Sequence, residues 1–175
     1  MQNKGLEVIR DYLDAAGKPV SAIRQGQEIT VRLRMRALGA SVRGDIAIVD
    51  LLPGGFEPVV QYAAAPAAAA AASDDCDGEC DDEAGDGSDR AAAPPQQTLA
   101  LPGSTFVPEH VEQREDRVVL YGDVGGSVSE FRYRVRAGNS GRFVVPPAYA
   151  ESMYERAVYA QGGPAGQLLV APSTP

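Results

Sequence analysis

Tryptophan is absent from the 175 residues, histidine occurs once and cysteine twice. One His and two Cys cannot assemble a four-ligand zinc centre from those residue types, and a disulfide-dense scaffold is excluded too. His110 lies in the polar stretch Pro108-Glu109-His110, and no G-x-S-x-G elbow occurs anywhere, so no nucleophilic triad is expected. Cys76 and Cys80 have three residues between them and no helix start nearby, which does not suit a redox pair. Long apolar runs are missing as well. None approaches the roughly 20 residues a membrane-spanning helix needs, so no direct membrane insertion is expected. The opening Met1-Gln2-Asn3-Lys4 runs straight into Gly5-Leu6-Glu7-Val8 without an apolar core or cleavage site, and reads as strand rather than secretion signal.

What charge there is sits in one place. The chain carries a net −8. Residues 61–97 hold nine acids against the single base Arg90, and therefore all of that excess. The remainder balances fifteen acids with fifteen bases. A neutral body with an acidic tether does not attract nucleic acid, and none is expected as a partner.

The same stretch reads as an insertion. From Ala63 to Ala93 there is no Leu, Ile, Val or aromatic residue, so nothing there offsets ordering entropy by burial, and residues 63–97 are expected to be disordered. Asp75-x-Asp77-Gly78 and Asp81-Asp82-Glu83 invite a calcium reading, but the alternating ligand spacing of an EF-hand loop fails. No specific metal site and no cofactor is expected.

The flanks carry strand patterns. Leu6, Val8 and Arg10 alternate with Glu7, Ile9 and Asp11, giving a strand with weakly separated faces. Ile29, Val31, Leu33 and Met35 alternate with Thr30, Arg32, Arg34 and Arg36, and Phe131, Tyr133 and Val135 alternate with Arg132, Arg134 and Arg136. Period 2 puts the apolar side chains on one face and the Arg stripes on a solvated one, with cross-strand ion pairs as their expected role. Asp45 to Leu52, nearly continuous in apolar residues, reads as a central strand. Further strands are expected at Arg117–Tyr121, Arg142–Val145 and Gln167–Val170, and one short helix over Ala148–Arg156. Short strands punctuated by Gly and Pro predict an all-β fold, an antiparallel β-sandwich of seven or eight strands with immunoglobulin- or fibronectin-like architecture. Residues 1–62 and 98–175 form its single domain in this reading.

Four strings go further. Leu6-Glu7-Val8 through Gly17-Lys18-Pro19, Val49-Asp50-Leu51-Leu52-Pro53-Gly54-Gly55-Phe56-Glu57, Arg117-Val118-Val119-Leu120-Tyr121-Gly122 and Phe143-Val144-Val145-Pro146-Pro147-Ala148-Tyr149-Ala150-Glu151-Ser152-Met153-Tyr154 follow one another in order. Together they resemble the C-terminal macroglobulin-like domain of bacterial alpha-2-macroglobulins. That resemblance implies a non-enzymatic part of a large periplasmic protease inhibitor, anchored to the inner membrane as a lipoprotein. In that family a cleaved bait region triggers rearrangement, and an internal Cys–Gln thioester captures the protease. The terminal domain packs on the thioester domain of the same chain and keeps water away. Neither Cys here is followed three residues later by Gln, since Cys76 leads to Glu79 and Cys80 to Glu83. This chain therefore carries no thioester, and its implied role is structural and regulatory. A guard against water must present apolar bulk, which designates Met153 and Tyr154 as the shielding pair with Tyr149 in support. The competing reading makes these three part of the domain's own core. A different class also stays open: an independent adhesive or scaffolding sandwich with an acidic, calcium-modulated tether.

Overall fold

Alternating side chains that bury one face of each segment make the chain a set of strands. A computed structural model describes residues 2–39, 43–62, 97–163 and 166–173. In chain order these residues form β1 (Gln2–Lys4), β2 (Leu6–Leu13), β3 (Ala22–Arg24), β4 (Glu28–Ala37), β5 (Arg43–Leu51), β6 (Phe56–Val59), β7 (Gln61–Tyr62) and β8 (Gln97–Thr98). They continue with β9 (His110–Gln113), β10 (Arg117–Val124), β11 (Ser129–Ala137), β12 (Gly141–Val144), β13 (Tyr149–Ser152), β14 (Tyr159–Gln161) and β15 (Gln167–Ala171).

The chain divides into two compact units, Met1–Val60 with Leu99–Pro175, and Gln61–Thr98. In the second, the described part is the antiparallel pair β7–β8. Most of the expected insertion, with Cys76, Cys80 and the acidic tract, lies outside the described residues.

The first unit is an all-β sandwich. One sheet runs β1-β14-β13-β5-β10-β9, a second β2-β4-β11-β6 and a small third β12-β15-β3. Pairing is antiparallel within the first two sheets, while β15 and β3 run parallel. A single apolar core joins Ile46 and Ile48 of β5 and Val118 and Leu120 of β10 to Val8, Val31, Leu33, Phe131 and Val135 from the other sheet.

The two Arg-striped strands, β4 and β11, are neighbours and pair from Ser129↔Met35 to Arg136↔Glu28. Their arginines face acids: Arg32 and Arg34 share Asp11, Arg36 meets Glu7, Arg132 meets Glu130, Arg134 meets Glu28 and Arg136 meets Glu57. Glu7 and Arg36 are direct cross-strand partners, as are Asp11 and Arg32.

Two expectations need correction. No helix occurs among the described residues, and the segment expected to be helical forms β13 followed by a turn. Tyr149, Ala150, Glu151 and Ser152 find a ready edge in β5, pairing with Val49, Ile48, Ala47 and Ile46. A helix that short is marginal by itself, so the ladder wins. The strand count is also higher than seven or eight. The expected strands correspond to β2, β4, β5, β10, β11, β12 and β15, and every added segment is two to four residues long. Segments that short show too few alternations to read as period 2.

Candidate functional site

Pro146-Pro147 delivers the chain into β13, which is laced between β5 and β14. Beyond Ser152 the chain turns through residues 153–158 and returns as β14. The turn is tied at several points. Ser152 N donates to Val158 O at 3.0 Å, Val158 N to Glu155 O at 2.8 Å, and Glu155 N to Ser152 Oγ at 3.2 Å. Met153 N donates to Asp45 O at 2.9 Å, and Arg43 reaches Glu155 at 3.3 Å, so the tip is braced against the start of β5.

On this braced tip, Met153 is 54% exposed and Tyr154 80% exposed. Neither belongs to the domain's own core. Tyr149 stands apart from them on β13, partly buried, its hydroxyl donating to Glu151 Oε2 at 2.9 Å. Burial and that carboxylate push its phenol above the ordinary range. The structure thus brings Met153 and Tyr154 together and leaves Tyr149 back from the tip.

Two apolar side chains that sequence reasoning did not single out share this end of the sandwich. Leu38 follows β4 and Val128 precedes β11, and both are exposed. Hydrogen bonds join their turns to each other and to Gly5: Ala37 N donates to Gly125 O at 2.7 Å, and Leu38 N to Gly5 O at 2.9 Å. Gly5 in turn bridges Tyr159, and a Cβ there would press on Val158 at 3.3 Å. Among the described residues, four of the seven large exposed apolar ones therefore lie at one end. Only their spacing around three separate turns hid them in the sequence.

A second group lies inside. Arg10 shares the inward face of β2 with Leu6, Val8 and Tyr12, and its side chain is 3% exposed. It pairs with Asp50 of β5, donates to Leu51 O at 3.0 Å and also donates to Pro146 O. Tyr133 of β11 donates to Asp50 Oδ2 at 2.5 Å. The guanidinium also stacks over the Tyr12 ring, 5.2 Å from its centroid. Burial pushes the Asp50 carboxyl above its ordinary value, against the pull of Arg10 and of the Tyr133 hydroxyl. Burial likewise raises both Tyr12 and Tyr133. This centre joins the two large sheets and the Pro146 segment that leads into β13. The signal for it was present: an Arg at a core-face position of a period-2 strand demands a buried acid.

His110 opens β9 at the surface, its ring 5.7 Å from that of Tyr121. Among the described residues no three His, Cys, Asp or Glu side chains gather as metal ligands. The groups displayed are suited to packing against another surface.

The fold and the apolar end define a macroglobulin-like β-sandwich module. Residues 5–156 match the family model described as the bacterial alpha-2-macroglobulin MG10 domain, and the chain belongs to that family. An alpha-2-macroglobulin homolog of Yersinia pestis is 42% identical over 97% of this chain and 8% of its own length. An alpha-2-macroglobulin of Pasteurella multocida (strain Pm70) is 33% identical over 96% of this chain and 7% of its own. The crystal structure of native alpha-2-macroglobulin from Escherichia coli, spanning domain MG7 to the C-terminus, superposes with a TM-score of 0.68 at 27% identity. That match covers 98% of this chain and 24% of the other. The chain spans less than a tenth of the curated relatives it matches.

Proposed function

We propose that this module is the terminal, non-catalytic domain of a thioester-type protease inhibitor, and that its apolar end packs on the thioester domain of the same parent chain. There it excludes water from the thioester until a target protease triggers rearrangement. The observation that carries this reading is the braced hairpin tip presenting Met153 and Tyr154 outward. Apolar side chains held rigidly in solvent are a cost to an isolated domain and a docking surface within a larger one. Leu38 and Val128 widen the same end. Arg43 and Glu155 pair with each other beside the tip, so neither of these two charges depends on a partner surface. Following the family resemblance, the parent works in the periplasm as an inner-membrane lipoprotein. Its target proteases are reached through the parent, not through this fragment.

The test uses the parent protein with Met153→Ala and Tyr154→Ala together. Free Cys appearing before any protease is added measures spontaneous thioester loss. Faster loss, with the 175-residue chain melting as wild type, supports the shield. An unchanged rate removes it.

A further inference from the structure

The hairpin tip leans on an irregularity in β5. Between the register pairs Gly122↔Ile46 and Val124↔Arg43, β10 contributes one residue, Asp123, while β5 contributes two, Gly44 and Asp45. Asp45 takes up the extra length at φ 54°, the one described non-glycine residue with positive φ. A bulge of this kind re-aims groups of the bulged strand, and its left-handed position ordinarily falls to Gly. Asp tolerates that region better than most residues, at some conformational cost.

Two contacts hold the conformation in place. Asp123 Oδ1 accepts from Asp45 N at 3.2 Å, and Asp45 O accepts from Met153 N at 2.9 Å. A Cβ on Gly44 would come within 3.3 Å of Asp123 Oδ1, close enough that the carboxylate would have to give by a few tenths of an ångström. Asp123 is exposed and touches none of the apolar side chains of the tip through this bond, so its carboxylate acts on Met153 only by way of the Asp45 peptide.

We infer that Asp45 and Asp123 are positioning residues for Met153: the Asp123 carboxylate fixes the Asp45 bulge, and the bulge carbonyl fixes the backbone from which the Met153 side chain projects. This rests on the shielding role for Met153, which could not work from a tip free to swing away. An open hairpin would lose solvent exclusion without losing either apolar side chain.

Amide hydrogen exchange on the 175-residue chain tests the positioning by itself. Asp123→Ala should raise the exchange of the Met153 amide about five- to tenfold, the worth of one ordinary hydrogen bond. The amides of Val118, Val119 and Leu120 should not change. Asp123→Asn keeps an acceptor oxygen and should restore wild-type exchange, which a loss caused only by charge would not. Asp45→Gly, free to occupy positive φ, should also behave as wild type. Asp45→Val, which resists that region, should match Asp123→Ala. An unaltered Met153 amide in Asp123→Ala overturns the inference, as does a rise shared equally by the core amides. In the parent, Asp123→Ala should then speed thioester loss by a smaller factor than the Met153/Tyr154 double substitution. If the double substitution has no effect while the Met153 amide still loosens in Asp123→Ala, the shielding role fails and the positioning stands. If the double substitution acts but the amide is unmoved, the positioning fails alone.

Discussion

Two regions break the inside–outside rule in opposite directions. At the centre, Arg10, Asp50 and Tyr133 put charge and hydroxyl where aliphatic side chains should be, and at the end of the sandwich Met153 and Tyr154 put apolar bulk in water. The central group is satisfied within the chain, each charge meeting a partner on a different strand. The hairpin tip is satisfied only in its backbone, and its side chains await a partner. The contrast separates what serves this fold from what serves the parent molecule. Damage to the centre should unfold the chain, while damage to the tip should leave it folded and useless.

The largest effect is expected from breaking the centre on one side. Asp50→Ala strands a permanently charged Arg10 in the core, and should cost about 3 to 5 kcal/mol in urea unfolding. Removing both charges and the hydroxyl that Asp50 accepts from, as Arg10→Met, Asp50→Leu and Tyr133→Phe together, should recover most of that loss, because a buried polar group replaced by apolar volume is often near neutral. A triple variant as unstable as Asp50→Ala would mean that the group stabilises the fold by geometry that apolar residues cannot replace.

Alkaline pH probes the same centre more gently. Burial holds Tyr12 and Tyr133 protonated well above the usual tyrosine range. In the unfolded chain both release protons near pH 10, so the unfolded state binds fewer protons and gains as pH rises. The contribution of these two tyrosines to stability should therefore be level below pH 10 and fall above it, by about 1.4 kcal/mol per pH unit for each. Tyr12→Phe separates the two contributions. The Tyr12 hydroxyl has no hydrogen-bond partner among the described residues, so its removal should stabilise the chain by about 1 kcal/mol at neutral pH and make the alkaline slope shallower. A loss of stability at neutral pH in that variant would show that the hydroxyl is partnered after all.

The outer face of β4 and β11 was legible because six arginines at strict period 2 admit one arrangement; five of them meet acids on a neighbouring strand, and Arg132 pairs with Glu130 of its own strand. Arg10 was legible only in part: its place on one face with Leu6 and Val8 called for a buried acid, but no local pattern says which, and Asp50 stands forty residues away. The hairpin was misread for a similar reason. Ala148–Arg156 has no apolar periodicity of its own, and what decides its conformation is the β5 edge, a contact no local pattern encodes. Met153 and Tyr154 came from a resemblance between strings, whereas Leu38 and Val128 needed the turns to be brought together in space. The Asp45 bulge left no trace in the sequence, since a left-handed Asp looks like any other.

The smallest effect on stability is expected at the tip, and it is the most telling. Met153→Ala with Tyr154→Ala removes two large side chains that stand 54% and 80% exposed. The bonds that hold the turn, Met153 N to Asp45 O and Ser152 N to Val158 O, are made by the backbone and survive the substitution. Alanine is compatible with such a turn, and little buried area is lost, so the melting midpoint should shift by no more than about 0.5 kcal/mol of stability allows. Were the two residues packed inside, the same substitution would cost roughly 4 to 8 kcal/mol, at about 2 to 5 for each large-to-small change. A domain with about 5 to 15 kcal/mol of total stability would show such a loss plainly in thermal melting. A near-normal curve keeps the tip free to serve a partner; a collapse would place its side chains in the core and leave the shield with nothing to present.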